Sequence, residues 1–479
     1  MIAFLLYFFI LLAIGLFAHK KQTTSAEFLM GNRSMSYWLV ALSAHASDMS
    51  SWLFMGLPMS VFLLGFPQAW IAVGLLLGMF LNWQFIAPKL RSETEKYNSL
   101  TLSGYFEQRF ADRSGSIRVI SAIMLIVFLT HYLSAGMIGI GLLFESLFSL
   151  NYYFGLILAM CVVVIYTFVG GFVAVAWTDL FQGLFLLLVI VAVPWLAYSK
   201  IDGFSDIVLV ASSQSIPLSI FPGTDIISIF TVLMLSLSWG LGYFGMPHVI
   251  TKFMSINSVK ELNKSKWLGM TWQLIVLSAA VAIGLIAIAM YPQGMENPQM
   301  VFVEMVKDLF HPFIAGFVLC AVIAASMSTM DSQILVSASV LSEDLFGKLF
   351  PRHSNMESKL LVSRLGVVLV SVVALALSLN KNTTIMDSVS YSWAGLGSAF
   401  GPLVLTALYS KTANRFGAIA GVITGGLVVM VWPQINPLIL NYAIPSMIPG
   451  FLCSLAAIYL VSFVTMDEEL IPVRIRVRD

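Results

Sequence analysis

Ser43-Ala44-His45-Ala46-Ser47-Asp48-Met49-Ser50-Ser51 interrupts an apolar run, 37–64, that is otherwise long enough to cross a bilayer. A carboxylate in the middle of such a run costs a few kcal/mol or more unless it is paired, neutralised, or set beside water or a cation. The serines around it offer the backbone hydrogen bonds that compete with the helix. A second run, 226–250, carries a similar signal in Ser238-Trp239-Gly240-Leu241-Gly242, with Gly245 and Pro247 soon after. The two runs lie five apolar spans apart and therefore enter a membrane from opposite sides. Interrupted helices at matching positions of two oppositely oriented five-helix units mark a transporter built from inverted repeats, with its binding site at the breaks. The alternative is that Gly and Ser merely let helices pack closely.

The rest of the chain supports a membrane setting. Of its 479 residues 59% are hydrophobic and 10% charged, with a mean hydropathy of +0.92, whereas soluble domains run about 25% charged. Apolar runs at 2–18, 37–64, 67–88, 118–146, 152–170, 175–198, 226–250, 266–291, 312–342, 360–380, 388–410, 416–434 and 444–464 give about 13 transmembrane helices. The first run has no basic flank before it and no small-residue cleavage site, and His19-Lys20-Lys21 follows it, so it reads as a retained helix. Of the 25 Lys and Arg residues, all but Lys200, Lys307 and Lys381 fall in the odd-numbered connections and the tail, or, as Arg118, Lys266 and Arg364, within the first few residues of the spans that those connections enter. Cytoplasmic loops are enriched in these residues, so the N-terminus is expected outside and the C-terminus in the cytoplasm.

A net charge of +1 offers no general attraction for nucleic-acid phosphates. Cys161, Cys320 and Cys453 all lie in apolar runs and read as small reduced core residues, not as a disulfide framework or a metal site. Neither a zinc or iron centre nor an organic cofactor is expected, and the sequence gives no sign of an obligate protein partner.

Several residues can carry chemistry. Asp48 either caps the helix that restarts after the break, accepting from Ser50 or Ser51 N–H, or lines a cation pathway; the two readings are compatible. Along 312–342, Ala325, Ser328, Thr329 and Ser332 fall at i, i+3, i+4 and i+7, on one helix face. Hydroxyls there can meet carbonyls freed at Ala46 and Met49, an oxygen cage suited to sodium, or can be glue between helices. Asp331 flanks that face as a second cation or proton site, or as an acceptor for neighbouring hydroxyls. Trp239 and Tyr243, at i and i+4, can wall a cavity that Tyr132 faces, with Ser50, Ser51 and Ser332 supplying hydroxyls. Since 226–247 lacks Asn, Gln, Glu, Lys and Arg, that wall suits an amphipathic solute with one carboxylate better than a sugar. His45, His131 and His248 read as neutral packing residues, His45 being the one placed to confer a pH effect. Asp179, behind Gly170-Gly171, is explained either by the dipole of its helix start or by function.

Four blocks resemble the solute:sodium symporter family and, within it, its proline-carrying branch. They are Ser43 to Ser50 as quoted above, Tyr166-Thr167-Phe168-Val169-Gly170-Gly171-Phe172 leading to Trp177-Thr178-Asp179, Trp239-Gly240-Leu241-Gly242-Tyr243-Phe244-Gly245, and Ala324-Ala325-Ser326-Met327-Ser328-Thr329. The resemblance runs over nearly the whole chain and thins at 200–225 and beyond 465. It implies an all-α polytopic membrane protein with a five-plus-five inverted-repeat (LeuT-like) core. The core spans 37–410, with a leading helix and loop in 1–36 and two trailing helices and a tail in 411–479. It implies a sodium site made by the carbonyls of Ala46, Met49 and Ala325 and the hydroxyls of Ser328 and Thr329. Asp48 becomes important for sodium, Asp179 lies on the inner sodium route, and Tyr132, Trp239 and Tyr243 line the substrate pocket. Two departures stand beside these sites: His45 and Ser51 where the family's proline carriers have small glycines, and Asp331-Ser332 in place of a Ser-Cys pair.

The expected function is sodium-coupled import of L-proline by alternating access, in the plasma membrane or a bacterial inner membrane. The rivals are the same machine with another cargo, such as a betaine-type osmolyte or other small carboxylate, and, in a different class, a sensor, a channel or an intramembrane enzyme using Asp48 and Asp331.

Overall fold

The computed structural model describes residues 2–17, 24–148, 151–353, 355–380, 384–440 and 442–466. His19-Lys20-Lys21, Lys381 and the basic tail used in the orientation count lie outside the described residues. The apolar runs are helical, as hydrocarbon demands, because each backbone N–H and C=O must there find its partner within the segment. Apart from one isolated bridge between Met35 and Ile256, the described residues contain no β-structure.

Among the described residues, nine helices are long and apolar enough to cross a membrane. Thirteen crossings require three more elements, Ile2–Phe17, the broken run 37–64 and the Ser- and Gly-rich Ile385–Tyr409, and require Tyr152–Tyr198 to count twice. That last element has 47 residues, about 70 Å if straight, more than twice the thickness of about 30 Å of hydrocarbon. Gly171, at φ 57° and ψ −156°, breaks it into two arms. Helices 67–88 and 312–342 run past their expected ends to Lys96 and Leu349, where their charged last turns are no longer apolar.

Packing repeats itself after five spans. The first broken helix lies on Leu262–Met290 while Ile226–Gly242 lies on Ala69–Leu81. Ser116–Phe148 lies on Ile385–Tyr409 while Pro312–Ser339 lies on Tyr152–Tyr198. Each pair becomes the other when both members are advanced by five, as a pseudo-two-fold axis requires. Arg415–Ile439 and Met447–Val464 pack together on Ile385–Tyr409, and Ile2–Phe17 packs on Tyr152–Tyr198 and Pro312–Ser339.

Three expectations are corrected. The second break is not at Ser238–Gly242. That helix is regular through Gly242 and opens at Tyr243–Met246, because Pro247 drives the preceding residue out of helical geometry. Gly240 serves close packing instead: a Cβ on Gly78 would lie 2.2 Å from the Gly240 carbonyl, and one on Gly74 1.9 Å from that of Ser236. Lys252, counted with a loop, is buried inside helix Pro247–Met254, where a carboxylate compensates its charge. Of the three free cysteines only Cys320 is a core residue; Cys161 and Cys453 are exposed.

Candidate functional site

Helix Tyr37–Ala46 ends where Ser47 turns back, its N–H reaching Ser43 O at 3.0 Å and its hydroxyl Ala44 O at 3.2 Å. Residues 47–50 are unwound, Ser50 is extended (φ −86°, ψ −163°), and a tight turn at Ser51–Leu53 leads to helix Gly56–Leu64. In an unbroken helix the Ala46 carbonyl would accept from Ser50 N–H. Here Ser328 Oγ donates to it at 2.9 Å. Ser328 Oγ and Thr329 Oγ1 also reach the Ala325 carbonyl, at 3.0 and 3.2 Å. Two carbonyls and two hydroxyls thus converge between the first break and Pro312–Ser339, all on buried residues, and the Met49 carbonyl belongs to the same unwound segment. Neutral oxygens in this number fit a hard monovalent cation. Each hydroxyl need only rotate its proton away to present a lone pair.

Asp48 is not the helix cap. The residue in capping position is Ser50, and the Asp48 carboxylate projects instead to the second break, where Oδ2 accepts from the Tyr243 hydroxyl. Gln273 Nε2 donates to that same hydroxyl at 2.9 Å, and Asn82 Nδ2 donates to the Tyr243 carbonyl, freed by the break, at 3.0 Å. One tyrosine therefore ties the two interruptions together.

Around it stands an aromatic wall. Trp239 lies 6.0 Å from Trp52 and 5.8 Å from Trp393 between ring centroids, Tyr243 lies 5.0 Å from Trp393, and the Trp393 indole donates to Trp239 O at 3.1 Å. Tyr132, expected to face Trp239 and Tyr243, meets His248 edge-on at 5.7 Å. Asp48 Oδ1, both His248 nitrogens and the hydroxyls of Ser50, Ser51, Tyr132 and Ser332 are buried without a protein partner. In a dry interior each such group costs about 1–3 kcal/mol, so their concentration around the breaks makes this the candidate site for a polar ligand. Sequence reasoning missed Trp52, Trp393, Asn82 and Gln273. Gln273, an amide deep in the apolar run 266–291, carried a signal; Trp393 did not.

Deeper carboxylates form a second cluster. Asp179 Oδ2 accepts from Ser43 Oγ at 2.6 Å and pairs with Lys252 Nζ at 2.9 Å. Because the helix restarts at Gly171, Asp179 sits two turns in, beyond the reach of the helix-end dipole, which therefore does not account for it. Asp331 Oδ2 accepts from the Tyr166 hydroxyl at 2.8 Å, off the Ser328 and Thr329 face as its helical position predicts.

His45 is a packing residue. Its Nε2 accepts from the Trp83 indole at 3.1 Å, and a Cβ on Gly269 would lie 2.2 Å from the same atom. Gly269→Ala is therefore expected to cost about 1–3 kcal/mol of stability by overpacking, and His45→Gly/Gly269→Ala to recover most of it. Thermal melting of the purified protein checks this, and equal losses in both variants would refute the steric coupling.

Two facing breaks, reciprocal packing five spans apart and unpartnered polar groups gathered around the breaks define an inverted-repeat secondary transporter. The chain belongs to the sodium:solute symporter family, whose model matches residues 28–425. It is 42% identical over 460 residues to the high-affinity proline transporter PutP of Bacillus subtilis, covering 95% of this chain and 96% of the relative. It is also 42% identical over 471 residues to the sodium/proline symporter of Staphylococcus aureus, covering 96% and 91%. Its fold matches that of a Na+-coupled sialic acid symporter in a substrate-bound outward-open state, with a TM-score of 0.82, 20% identity and 96% of each chain covered.

Proposed function

We propose that the chain is a sodium-coupled symporter that imports L-proline by alternating access, with sodium held by the carbonyls of Ala46, Met49 and Ala325 and the hydroxyls of Ser328 and Thr329. The observation that carries this reading is the Ser328 hydroxyl on the freed Ala46 carbonyl, at 2.9 Å. It supports a monovalent-cation oxygen set formed between Pro312–Ser339 and the unwound part of a broken helix. Both 42%-identical relatives are proline transporters, and that of Staphylococcus aureus is a sodium/proline symporter, which supports proline as cargo and sodium as coupling ion. Proline suits the chemistry of this region: Trp239, Trp52 and Tyr243 offer flat apolar surface for its ring, and backbone N–H groups at the half-helix ends, with the hydroxyls of Ser50, Ser51 and Tyr132, offer donors for its carboxylate.

The core runs over 37–410, flanked by 1–36 and 411–479, with the N-terminus outside and the C-terminus in the cytoplasm. Asp48 and Asp179 act on sodium from outside its immediate oxygen set, and Asp331 and Ser332 border the inner route.

The energetics suffice. One sodium crossing about 100 mV contributes about 2.3 kcal/mol, and a tenfold concentration ratio about 1.4 more, enough for solute accumulation of several hundredfold. Sodium must favour the outward-open state by binding it more tightly, and an oxygen set split between a broken helix and Pro312–Ser339 does so, since it exists only while both elements are in register.

The test is uptake of radiolabelled L-proline into proteoliposomes under an inward sodium gradient, with potassium and proton gradients as controls. Accumulation driven by sodium alone is expected. No uptake while sodium still raises the melting temperature would retain the cation site and reject the cargo, and competition by a betaine-type osmolyte would then name the replacement class.

A further inference from the structure

Behind the second break, half-helix Pro247–Met254 carries Lys252 into the interior. Its side chain is 2% exposed; its Nζ is 2.9 Å from Asp179 Oδ2 and 5.0 Å from the centre of the Phe172 ring. Asp331, on Pro312–Ser339, interacts electrostatically with both Asp179 and Lys252. Each carboxylate keeps one buried oxygen, Oδ1, without a partner, and so does Ser332 Oγ, which shares a small cleft with Lys252 and His248. Two acids and one base therefore sit at a depth where an uncompensated charge costs several kcal/mol. Without the ammonium, what remains is two buried carboxylates, Asp179 with the Ser43 hydroxyl on it and Asp331 with the Tyr166 hydroxyl on it, groups that call for a cation in place of the lost one.

We propose that the Lys252 ammonium is a resident cation of the transport cycle, filling between Asp179 and Asp331 a place that a second diffusible cation would otherwise occupy. The inference rests on the sodium-coupled reading. A diffusible ion enters and leaves by itself; this one is carried by the half-helix behind the second break, and it parts from Asp179 only when that half-helix moves against the arm 172–198. The inner path thereby opens without releasing a second ion, and each cycle needs sodium only at the Ala46 and Ser328 oxygens. Lys252 is a positioning residue in this scheme, since it need not touch the transported solute.

The experiment counts ²²Na+ bound per chain in the purified full-length protein at saturation and measures the Hill coefficient of binding. Wild type and Lys252→Arg are expected to bind one sodium with a Hill coefficient of one. Lys252→Met is expected to bind two, with a coefficient rising towards two. Should that variant not fold, Lys252→Met/Asp331→Ser, which leaves one uncompensated carboxylate, is expected to bind two as well. Two sodium ions on the wild type, or one on a folded neutral variant, would overturn the inference. One sodium on both wild type and neutral variant leaves the sodium-coupled reading standing, whereas none on the wild type removes both.

Discussion

Ser328→Ala and Thr329→Ala each raise the sodium concentration for half-maximal uptake, while the amount of folded protein stays near that of the wild type. Each substitution removes one oxygen from the cation set. A polar contact to a charge is worth about 1.5–3 kcal/mol, so the expected shift is roughly tenfold to a hundredfold in sodium affinity. Folding is spared because each hydroxyl reaches a carbonyl on its own helix, Ala325, at 3.0 or 3.2 Å. That carbonyl keeps its main-chain partner when the hydroxyl goes. Ser328→Ala is the more severe of the two, since Ser328 Oγ also serves the Ala46 carbonyl across the break. Saturating proline should not restore the loss, but high sodium should. The measurement is sodium activation of proline uptake in proteoliposomes; normal activation in both variants would reject the cation assignment.

The fold was legible because hydrocarbon leaves the backbone few options, and because Asp48 stood in the middle of a span where a bare carboxylate is costly. The contact of the Ser328 and Thr329 face with the first break was legible from helical periodicity, once a broken helix gave that face something to meet. The position of the second break was less so. Gly240 and Gly242 look like helix breakers in sequence, yet they mark where Gly78 and Trp393 come close; Pro247 sets the break by its effect on Met246. Lys252 was hidden for a different reason. A lysine just beyond an apolar run ordinarily belongs to a loop, and only the fold brings Asp179, 73 residues earlier in the chain, into contact with it. Trp393 is similarly a matter of which helices become neighbours. Long-range partnerships of this kind leave no trace in spacing, whereas a freed carbonyl and a hydroxyl face each leave a local one.

Tyr243→Phe is expected to uncouple the two breaks. The hydroxyl donates to Asp48 on the first broken helix and accepts from Gln273 on Leu262–Met290, so its loss leaves a buried carboxylate with neither oxygen bonded and a buried amide without its acceptor. Stranding a charged partner costs more than losing a neutral hydrogen bond, about 1.5–3 kcal/mol, and the aromatic ring keeps its place against Trp393. Sodium-driven proline accumulation should therefore fall roughly tenfold to a hundredfold while the protein remains folded, by the same free-energy conversion. Asp48→Asn removes the charge that the hydroxyl serves, so the combined Asp48→Asn/Tyr243→Phe variant should be little worse than the more damaging single one. This non-additivity separates a shared network from two independent contributions to the pocket, for which the losses would multiply. The cycle is read from sodium-dependent uptake alongside proline binding measured without a gradient. If proline binding falls in step with uptake and the two losses multiply, Tyr243 is a wall of the substrate chamber only. If binding holds while gradient-driven uptake collapses, the hydroxyl between the breaks is the part through which occupancy at the first helix reaches the second.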